Sequence, residues 1–198
     1  MTERKQGTMD RREVVAELIK GRGDALIVTG LGSTCYDFGT QDHPNTYYLW
    51  GGMGAAAMLG LGLAMAQPSR RVVVVTGDGE MLMGFGAFAT IGAKAPKNLS
   101  LVVIDNEHYS ETGMQPTHIG RGVSLEGVAK ACSFPSAQTI YSKDELAKAV
   151  PDIFGGKGLS FHDIKVSTKR YPMSIRLRDG AHIKNRFREN LLGAKAFD

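Results

Sequence analysis

The sequence predicts an α/β fold, a three-layer sandwich with a mostly parallel central sheet. Two apolar runs, residues 72–75 and 101–104, have the length of buried strands. Between them, residues 81–95 have the length and apolar spacing of a helix. A strand, a crossover helix and a second strand in this order usually make the two strands parallel. The composition agrees, because 42% apolar and 22% charged residues are ordinary for a globular domain.

The length of 198 residues suits one domain with a buried core. We expect a flexible arm at residues 1–9 and a single domain at residues 10–198 with a basic C-terminal segment. The first ten residues lack the apolar stretch of a secretion signal, and Cys35 and Cys132 have no metal-ligand spacing. These features predict a cytoplasmic protein.

Neither the charge nor the apolar pattern requires a large polyanionic or lipid partner. A net charge of +4 is modest for this length, so no nucleic acid is expected. Residues 51–66 carry no charge, but this run is short for a membrane span and is rich in glycine and alanine. We expect an entry loop at residues 51–54 and then a buried helix that packs on the sheet or on a partner chain, and we expect no membrane association.

The N-terminal elements follow from capping and apolar patterns. Asp10 is a plausible N-cap for a helix that ends near Gly21. Residues 25–29 form a strand that runs into a loop containing Ser33 and Thr34. This loop either lines a ligand site at the end of the strand or merely starts a helix. Further on, residues 47–50 have the composition of a short strand.

The C-terminal part is expected to have a structural role. We expect a helix at residues 125–132, a strand at 137–141, a helix at 142–150 that opens with a capping box, and a strand at 159–166. A basic stretch and a short helix follow. The basic residues are Lys169, Arg170, Arg176, Arg178, Lys184, Arg186 and Arg188. Solvated surface, contact with an acidic partner and attraction of an anionic substrate are the alternatives for this stretch.

Polar side chains follow the two central strands. Asp78 comes after the first strand and Asn106 after the second. Because parallel strands end at one edge of a sheet, we expect both side chains at that edge, where ligands bind in open α/β sheets. Carboxylate and amide oxygens suit Mg²⁺, which takes further oxygens from phosphates and water. Gly77 and Gly79 let the backbone approach an anion closely. The sequence therefore predicts a metal and phosphate site.

Three runs carry a resemblance to a known family. The order GDG, apolar helix and DN in residues 77–106 resembles the diphosphate-binding motif of thiamine diphosphate enzymes. The runs GGMGAA at 51–56 and DNEHYSETGMQPT at 105–117 resemble the sulfopyruvate and phosphonopyruvate decarboxylase branch. The resemblance covers roughly residues 25–190 and implies that residues 10–198 are one diphosphate-binding domain.

The resemblance also implies the ligands of both cofactors, thiamine diphosphate and Mg²⁺. Asp78, Asn106 and the backbone carbonyl of His108 would hold the metal. Gly51 and Met53 would contact the aminopyrimidine ring, with the Met53 side chain supporting the bent cofactor. The full set of implied cofactor-binding residues is Ser33, Thr34, Gly51, Met53, Gly77, Asp78, Gly79, Glu80, Asn106, His108, Tyr109 and Ser110. The chain departs from many members of the branch at Glu107, where they have glycine.

The implied activity requires a second chain. In this family the glutamate that activates the cofactor comes from a pyrimidine-binding domain, for which a chain of this length has no room. The resemblance therefore implies a β subunit with no catalytic residue of its own, in an α₂β₂ or larger assembly with an α subunit. The implied substrate is a small anionic 2-oxo acid, sulfopyruvate first and phosphonopyruvate second. A carboligase or a subunit of an oxidative 2-oxo acid enzyme would fit the same motifs.

Two other functions compete with this interpretation. Gly52, Gly54 and Ala57 match a dinucleotide-binding fingerprint, with Asp78 near the place of a ribose-binding acid. This nicotinamide-dependent alternative is weakened by the very short preceding strand, and it leaves the loop at Asn106 unexplained. A non-catalytic subunit descended from such an enzyme is the other alternative.

Overall fold

The computed structural model describes residues 7–172 and 177–197, and an all-parallel sheet of six strands forms its centre. The strands are β1 (Leu26–Thr29), β2 (Thr46–Tyr48), β3 (Val72–Gly77), β4 (Leu99–Asp105), β5 (His108–Tyr109), β6 (Gln115–Pro116), β7 (Ser136–Ile140) and β8 (Ser160–Lys165). The sheet order is β2-β1-β3-β4-β8-β7, while β5 and β6 form a separate antiparallel pair. The predicted α/β class and parallel central strands are confirmed.

Helices cover both faces of the sheet. They are α1 (Arg11–Gly21), α2 (Ser33–Phe38), α3 (Ala56–Ala66), α4 (Asp78–Met83), α5 (Ala87–Lys94), α6 (Leu125–Ala131), α7 (Lys143–Gly155) and α8 (Gly180–Leu192). One apolar core lies between the sheet and α3 to α6, and a second lies between the sheet and α1, α2 and α7. Strands buried on both faces read as continuous apolar runs, which is why Val72 to Val75 gave a clear signal.

The capping signals work as expected. The Asp10 side chain accepts hydrogen bonds from the backbone N–H groups of Arg12 and Glu13. Ser142 and Glu145 form the predicted capping box of α7. This helix continues beyond its predicted end and contains Pro151, because the fully buried Ile153 packs its last turn onto the core.

One helix prediction needs correction. The single helix expected at residues 81–95 is two helices, and the first begins at Asp78. The break lies at Gly84, where an added Cβ would stand 2.2 Å from the Gly54 carbonyl oxygen. This close approach of two backbone segments requires glycine. The predicted loop at residues 51–54 is confirmed, and α3 begins at Ala56.

The predicted flexible arm at residues 1–9 is wrong for its last part. Met9 is buried, and it forms a parallel bridge with Val166. The Met9 carbonyl accepts a hydrogen bond from the backbone N–H of Ser167 at 2.9 Å. Residues 1–6 lie outside the described residues.

The basic C-terminal segment folds back onto the sheet. Ile183 and Phe187 of α8 are buried, and Arg186 forms an ion pair with Asp42 at 2.6 Å. Lys169 forms an ion pair with Asp10, so part of the segment is internal contact rather than free surface. The predicted basic residue Arg176 lies outside the described residues. Among the helices described here, none has the length and apolar character needed to cross a membrane.

Candidate cofactor site

The two predicted metal-binding side chains lie at the carboxyl edge of the sheet. β3 and β4 are parallel neighbours, paired through Gly77 and Ile104 at their ends. Asp78 opens α4 directly after β3, and Asn106 follows β4. Both residues are buried, with 2% and 9% of their surface exposed. The site thus arises from the register of two central strands.

A cavity of about 150 Å³ opens at this edge and collects most of the predicted site. Its walls include the predicted residues Ser33, Thr34, Met53, Gly77, Asp78, Gly79, Glu80, Asn106, His108, Tyr109 and Ser110. Gly51 does not line the cavity and is exposed. The structure therefore brings together segments that are distant in sequence, with the exception of Gly51.

The electrostatics of Asp78 suit a cation. Burial raises the pKa of the Asp78 carboxyl to about 8, and the charge of Asp105 adds to the effect. The Thr117 hydroxyl donates a hydrogen bond to Asp78 Oδ2 at 2.8 Å. A buried carboxylate is costly unless a positive charge compensates it. The oxygens of Asp78, Asn106 and the His108 carbonyl are a donor set that fits Mg²⁺.

This donor set contains only one acidic side chain. Across residues 7–172 and 177–197, no group of three or more His, Cys, Asp or Glu side chains is arranged to hold a metal ion. A cation at Asp78 would therefore take its other ligands from amide and carbonyl oxygens, from a phosphate and from water.

The loop after Asn106 is a hairpin, although the sequence predicted irregular structure. β5 and β6 pair through His108 with Pro116 and Tyr109 with Gln115. The side-chain oxygen of Asn106 accepts a hydrogen bond from the His108 N–H at 3.0 Å. The hairpin thereby fixes the Asn106 side chain against the backbone of His108.

Gly79 is needed beneath this hairpin. An added Cβ at Gly79 would stand 2.6 Å from the ring of Tyr109, so the ring lies directly over the glycine. A side chain at this position would collide with the Tyr109 ring, so the close packing of the hairpin on α4 requires glycine here.

The Glu80 side chain has a role that the sequence analysis missed. Its carboxylate accepts hydrogen bonds from the Thr76 hydroxyl at 2.5 Å, the Leu31 N–H at 2.7 Å and the Ala56 N–H at 3.3 Å. Burial raises the Glu80 pKa, and these hydrogen bonds oppose the shift. Glu80 therefore joins the ends of β1 and β3 to the start of α3. The signal in the sequence that could have revealed this role was a single glutamate at the start of an apolar stretch.

The loop after β1 starts a helix, as one of its two interpretations predicted, and it also lines the cavity. α2 begins at Ser33, and the Thr34 hydroxyl donates to the Gly30 carbonyl at 3.1 Å, so this hydroxyl serves the start of the helix. Ser33 and Thr34 also line the cavity. Arg11 lines it too, and its guanidinium forms a buried ion pair with Asp37 at 2.5 Å. The sequence analysis did not identify Arg11 as a residue of the site.

Large exposed apolar side chains, two of which line the cavity, come from α3, α4 and the loops next to them. Met53 lines the cavity and is 65% exposed. Further exposed apolar residues come from the loop before α3, from α3 itself and from α4 and the loop after it. We call this surface the apolar rim, and it consists of Trp50, Met53, Met58, Met65, Met83 and Phe85. Exposed patches of this kind mark interaction surfaces.

Comparison with known proteins identifies the family. The model of the C-terminal TPP binding domain of thiamine pyrophosphate enzymes matches residues 29–164. The chain belongs to the thiamine pyrophosphate enzymes. The dinucleotide-binding alternative is wrong, and β2, which precedes its fingerprint, is an edge strand of only three residues.

Relatives within the thiamine pyrophosphate enzymes are decarboxylases by name. The chain is 37% identical over 131 residues to the sulfopyruvate decarboxylase subunit beta of Methanocaldococcus jannaschii, covering 65% of this chain and 69% of that one. It is 41% identical over 128 residues to the phosphonopyruvate decarboxylase of Streptomyces viridochromogenes, covering 64% of this chain but only 32% of the relative. The predicted decarboxylase branch is confirmed.

Solved structures agree on the fold. The thiamine diphosphate-dependent 4-hydroxybenzoylformate decarboxylase of Rhodococcus jostii RHA1 superposes with a TM-score of 0.71 at 17% identity, covering 86% of this chain and 35% of that chain. The benzoylformate decarboxylase of Polynucleobacter necessarius gives a TM-score of 0.66 at 22% identity, covering 87% of this chain and 36% of that chain. Both similarities are structural and confirm the thiamine diphosphate-binding fold.

Proposed function

We propose that the chain is the diphosphate-binding β subunit of a Mg²⁺-dependent 2-oxo acid decarboxylase that converts sulfopyruvate into sulfoacetaldehyde and CO₂. The observation that carries this proposal is the cavity in which the buried carboxylate of Asp78 and the amide of Asn106 meet at one sheet edge. The similarity to sulfopyruvate decarboxylase beta subunits supports the choice of substrate.

Asp78, Asn106 and the His108 carbonyl would hold Mg²⁺, which in turn would bind the diphosphate. The hydroxyl groups of Ser33 and Ser110 line the same cavity and would donate hydrogen bonds to phosphate oxygens. When bound, thiamine diphosphate supplies the carbon nucleophile and the electron sink for decarboxylation. The protein contributes binding, orientation and exclusion of water.

A pyrimidine-binding α subunit would complete the site in a hetero-oligomer. The cavity of about 150 Å³ is smaller than the roughly 300–1,000 Å³ of most small-molecule sites, so another surface has to enclose the rest of the cofactor. The apolar rim borders this cavity through Met53 and Met83 and would be covered by the α subunit. The partner would also supply the glutamate that activates the cofactor. We place the assembly in the cytoplasm.

Phosphonopyruvate is the second candidate substrate. The identity of 41% to a phosphonopyruvate decarboxylase supports it. A second cavity of about 230 Å³ adjoins the first and is lined by Arg11, Lys169 and Arg170. Arg11 and Lys169 form ion pairs with Asp37 and Asp10, but the three basic residues of the lining still outnumber its one acidic residue, Glu111. This excess favours a substrate with a second anionic group, and sulfonate and phosphonate both meet this condition.

A substrate screen of the assembled enzyme tests this function. The chain is purified with its α subunit, and CO₂ release is measured with sulfopyruvate, phosphonopyruvate and pyruvate. We expect activity that requires both thiamine diphosphate and Mg²⁺, with the highest kcat/KM for sulfopyruvate. Absence of thiamine-dependent CO₂ release from all three acids would refute the proposal.

Substitution of Asp78 tests the metal assignment. Asp78→Ala should lower kcat/KM of the assembled enzyme by at least about 100-fold, because metal-ion catalysis contributes several kcal/mol. The subunit should remain folded by circular dichroism. Asp152→Ala removes an exposed acid on α7 and should leave activity unchanged. Thiamine-dependent activity retained by Asp78→Ala would show that the metal assignment is wrong.

A further inference from the structure

Glu107 lies between Asn106 and His108 in an unusual backbone conformation. Its φ angle is 61°, in the left-handed region. Glycine adopts this conformation freely, whereas a residue with a side chain adopts it at a cost in free energy. Something in the structure must therefore hold Glu107 in place.

The backbone of Glu107 connects both halves of the metal site. Its N–H donates a hydrogen bond to Asp105 Oδ1 at 2.7 Å, at the end of β4. Its carbonyl accepts a hydrogen bond from the Thr117 N–H at 2.8 Å. The fully buried Thr117 in turn donates its hydroxyl to the carboxylate of Asp78. A change in the conformation of Glu107 would therefore move both the ligand loop and Asp78.

The side chain of Glu107 is anchored to a neighbouring strand. Glu107 Oε1 lies 3.1 Å from Nζ of Lys165, and the two side chains are 14% and 6% exposed. Lys165 is the last residue of β8 and pairs in register with Asp105 of β4. Its ammonium also forms ion pairs with Asp105 and, at 3.8 Å, with Asp163. The anchor is thus fixed by the central sheet.

Lys165 remains charged in this setting. Burial by itself would lower its pKa, but the carboxylates of Asp163 and Asp105 outweigh burial and raise the pKa above its ordinary value. The ammonium is therefore available as the cationic partner of Glu107.

We infer that the Glu107–Lys165 ion pair is a brace that holds Asn106 and the His108 carbonyl in the arrangement required for the metal. Glu107 is then a positioning residue, acting through its neighbours without touching the metal or the substrate. This inference rests on the proposed function, because it assumes that the loop binds Mg²⁺.

A different role for the same ion pair would be charge balance within the buried cluster of Asp105, Glu107, Asp163 and Lys165. The two roles differ in their response to glycine at position 107. If the pair is a brace against an unfavourable φ angle, Glu107→Ala keeps the unfavourable backbone and loses the brace, whereas Glu107→Gly no longer needs the brace. If the pair only balances charge, alanine and glycine are equally defective.

The test measures metal binding by the chain co-purified with its α subunit. Free Mn²⁺ is quantified by electron paramagnetic resonance in the presence of thiamine diphosphate, and urea unfolding confirms that each variant is folded. We expect Glu107→Ala to weaken Mn²⁺ binding about 10–100-fold, as found when partners that orient metal ligands are lost. Glu107→Gly should bind Mn²⁺ within about threefold of the unsubstituted protein, because glycine adopts the left-handed conformation without cost.

Met114→Ala is the matched control. Met114 also has a positive φ angle, of 62°, and lies in the same hairpin. It is not adjacent to the predicted metal-binding residues, so alanine at this position should leave Mn²⁺ binding unchanged. Lys165 is left intact, because its removal would leave Asp105 and Asp163 without their cation.

The outcomes separate the brace from the proposed function. Equal Mn²⁺ affinity in the alanine variant and the unsubstituted protein would refute the brace alone, as would equal weakening by alanine and glycine. If the unsubstituted assembly binds no Mn²⁺ in the presence of thiamine diphosphate, the proposed function fails and the brace fails with it.

Discussion

Two layers of helices cover the same sheet, but their outer faces differ. α1 carries charged residues outward, among them Glu17 and Lys20, which form an exposed ion pair. α3 contains no charged residue and exposes Met58 and Met65, at 42% and 58%. A surface that meets only water does not need large apolar groups. The contrast supports the proposal that the layer containing α3 faces the α subunit.

The inner faces of the two layers differ as well. α1 packs on the core through Val14, Val15 and Leu18, which is the usual apolar stripe of a surface helix. α3 packs through small residues, and an added Cβ at Gly60 would stand 2.1 Å from Val74 Cγ2. The small residues bring α3 close to β3. The outer face of α3, which is also apolar, then remains available for contact with the proposed α subunit.

The largest expected effect is on the affinity for the proposed α subunit. Met58→Glu places a carboxylate in the surface proposed to bind the α subunit. An unpaired buried charge costs about 3–5 kcal/mol, which weakens association more than about 100-fold. Lys148→Glu, which changes the charge by two units instead of one on exposed α7, should change the affinity by no more than about twofold. Surface plasmon resonance against the purified α subunit measures both. Equal effects of the two variants would remove the distinction between the layers.

A second effect should come from the central sheet that both layers cover. His162 lies fully buried in β8, and burial, with a contribution from the charge of Arg71, lowers its pKa to about 4 from an ordinary 6.5. Between these values His162 binds more protons in the unfolded chain than in the folded chain. The free energy of unfolding should therefore be fully supported by His162 above pH 6.5 and fall as the pH drops towards 4, by about 3 kcal/mol at most.

Urea unfolding at pH 7 and pH 4.5 measures this effect. Buried carboxyl groups also titrate in this range, so His162→Gln is the reference, because glutamine cannot take up the proton. The unsubstituted chain should lose more stability on acidification than His162→Gln. An identical loss in both proteins would show that His162 is not held neutral by burial.

The smallest effect compares two glycines of α3. Gly60→Ala should lower the free energy of unfolding by about 1–3 kcal/mol, because its Cβ would collide with Val74 in a well-packed core. Gly62 is exposed and has no atom within 4 Å of an added Cβ, so Gly62→Ala should raise stability by about 0.5–1 kcal/mol. Urea unfolding of the chain alone measures both, and opposite signs are expected. A stabilising Gly60→Ala would contradict the close packing of α3.

The sequence predicted the elements whose signals are local. Continuous apolar runs identified β3 and β4, and capping residues located the starts of α1 and α7. The break between α4 and α5 was missed because it depends on contact between Gly84 and the distant Gly54. The apolar pattern of α3 was also ambiguous. A helix that is apolar all round does not reveal which face meets the sheet and which remains for a partner.

How well the site could be predicted also depended on whether its contacts are local or distant in the sequence. The position of Asp78 and Asn106 at the edge of the sheet could be predicted, because each residue follows an apolar run that can be recognised in the sequence. The contact of Thr117 with Asp78 was not predicted, because the two residues belong to segments far apart in the chain. The side-chain contacts of Glu80 with Leu31 and of Lys165 with Glu107 were missed for the same reason, since only the folded chain brings these segments together.

One measurement tests the central claim most directly. Thiamine diphosphate is titrated calorimetrically, with and without Mg²⁺, into the chain alone and into the chain co-purified with its α subunit. Our account predicts binding that requires Mg²⁺ and is at least about tenfold tighter in the presence of the partner, equivalent to roughly 1.4 kcal/mol. Binding that is independent of Mg²⁺, or no binding in either preparation, would contradict the claim that this chain forms half of a metal-dependent cofactor site.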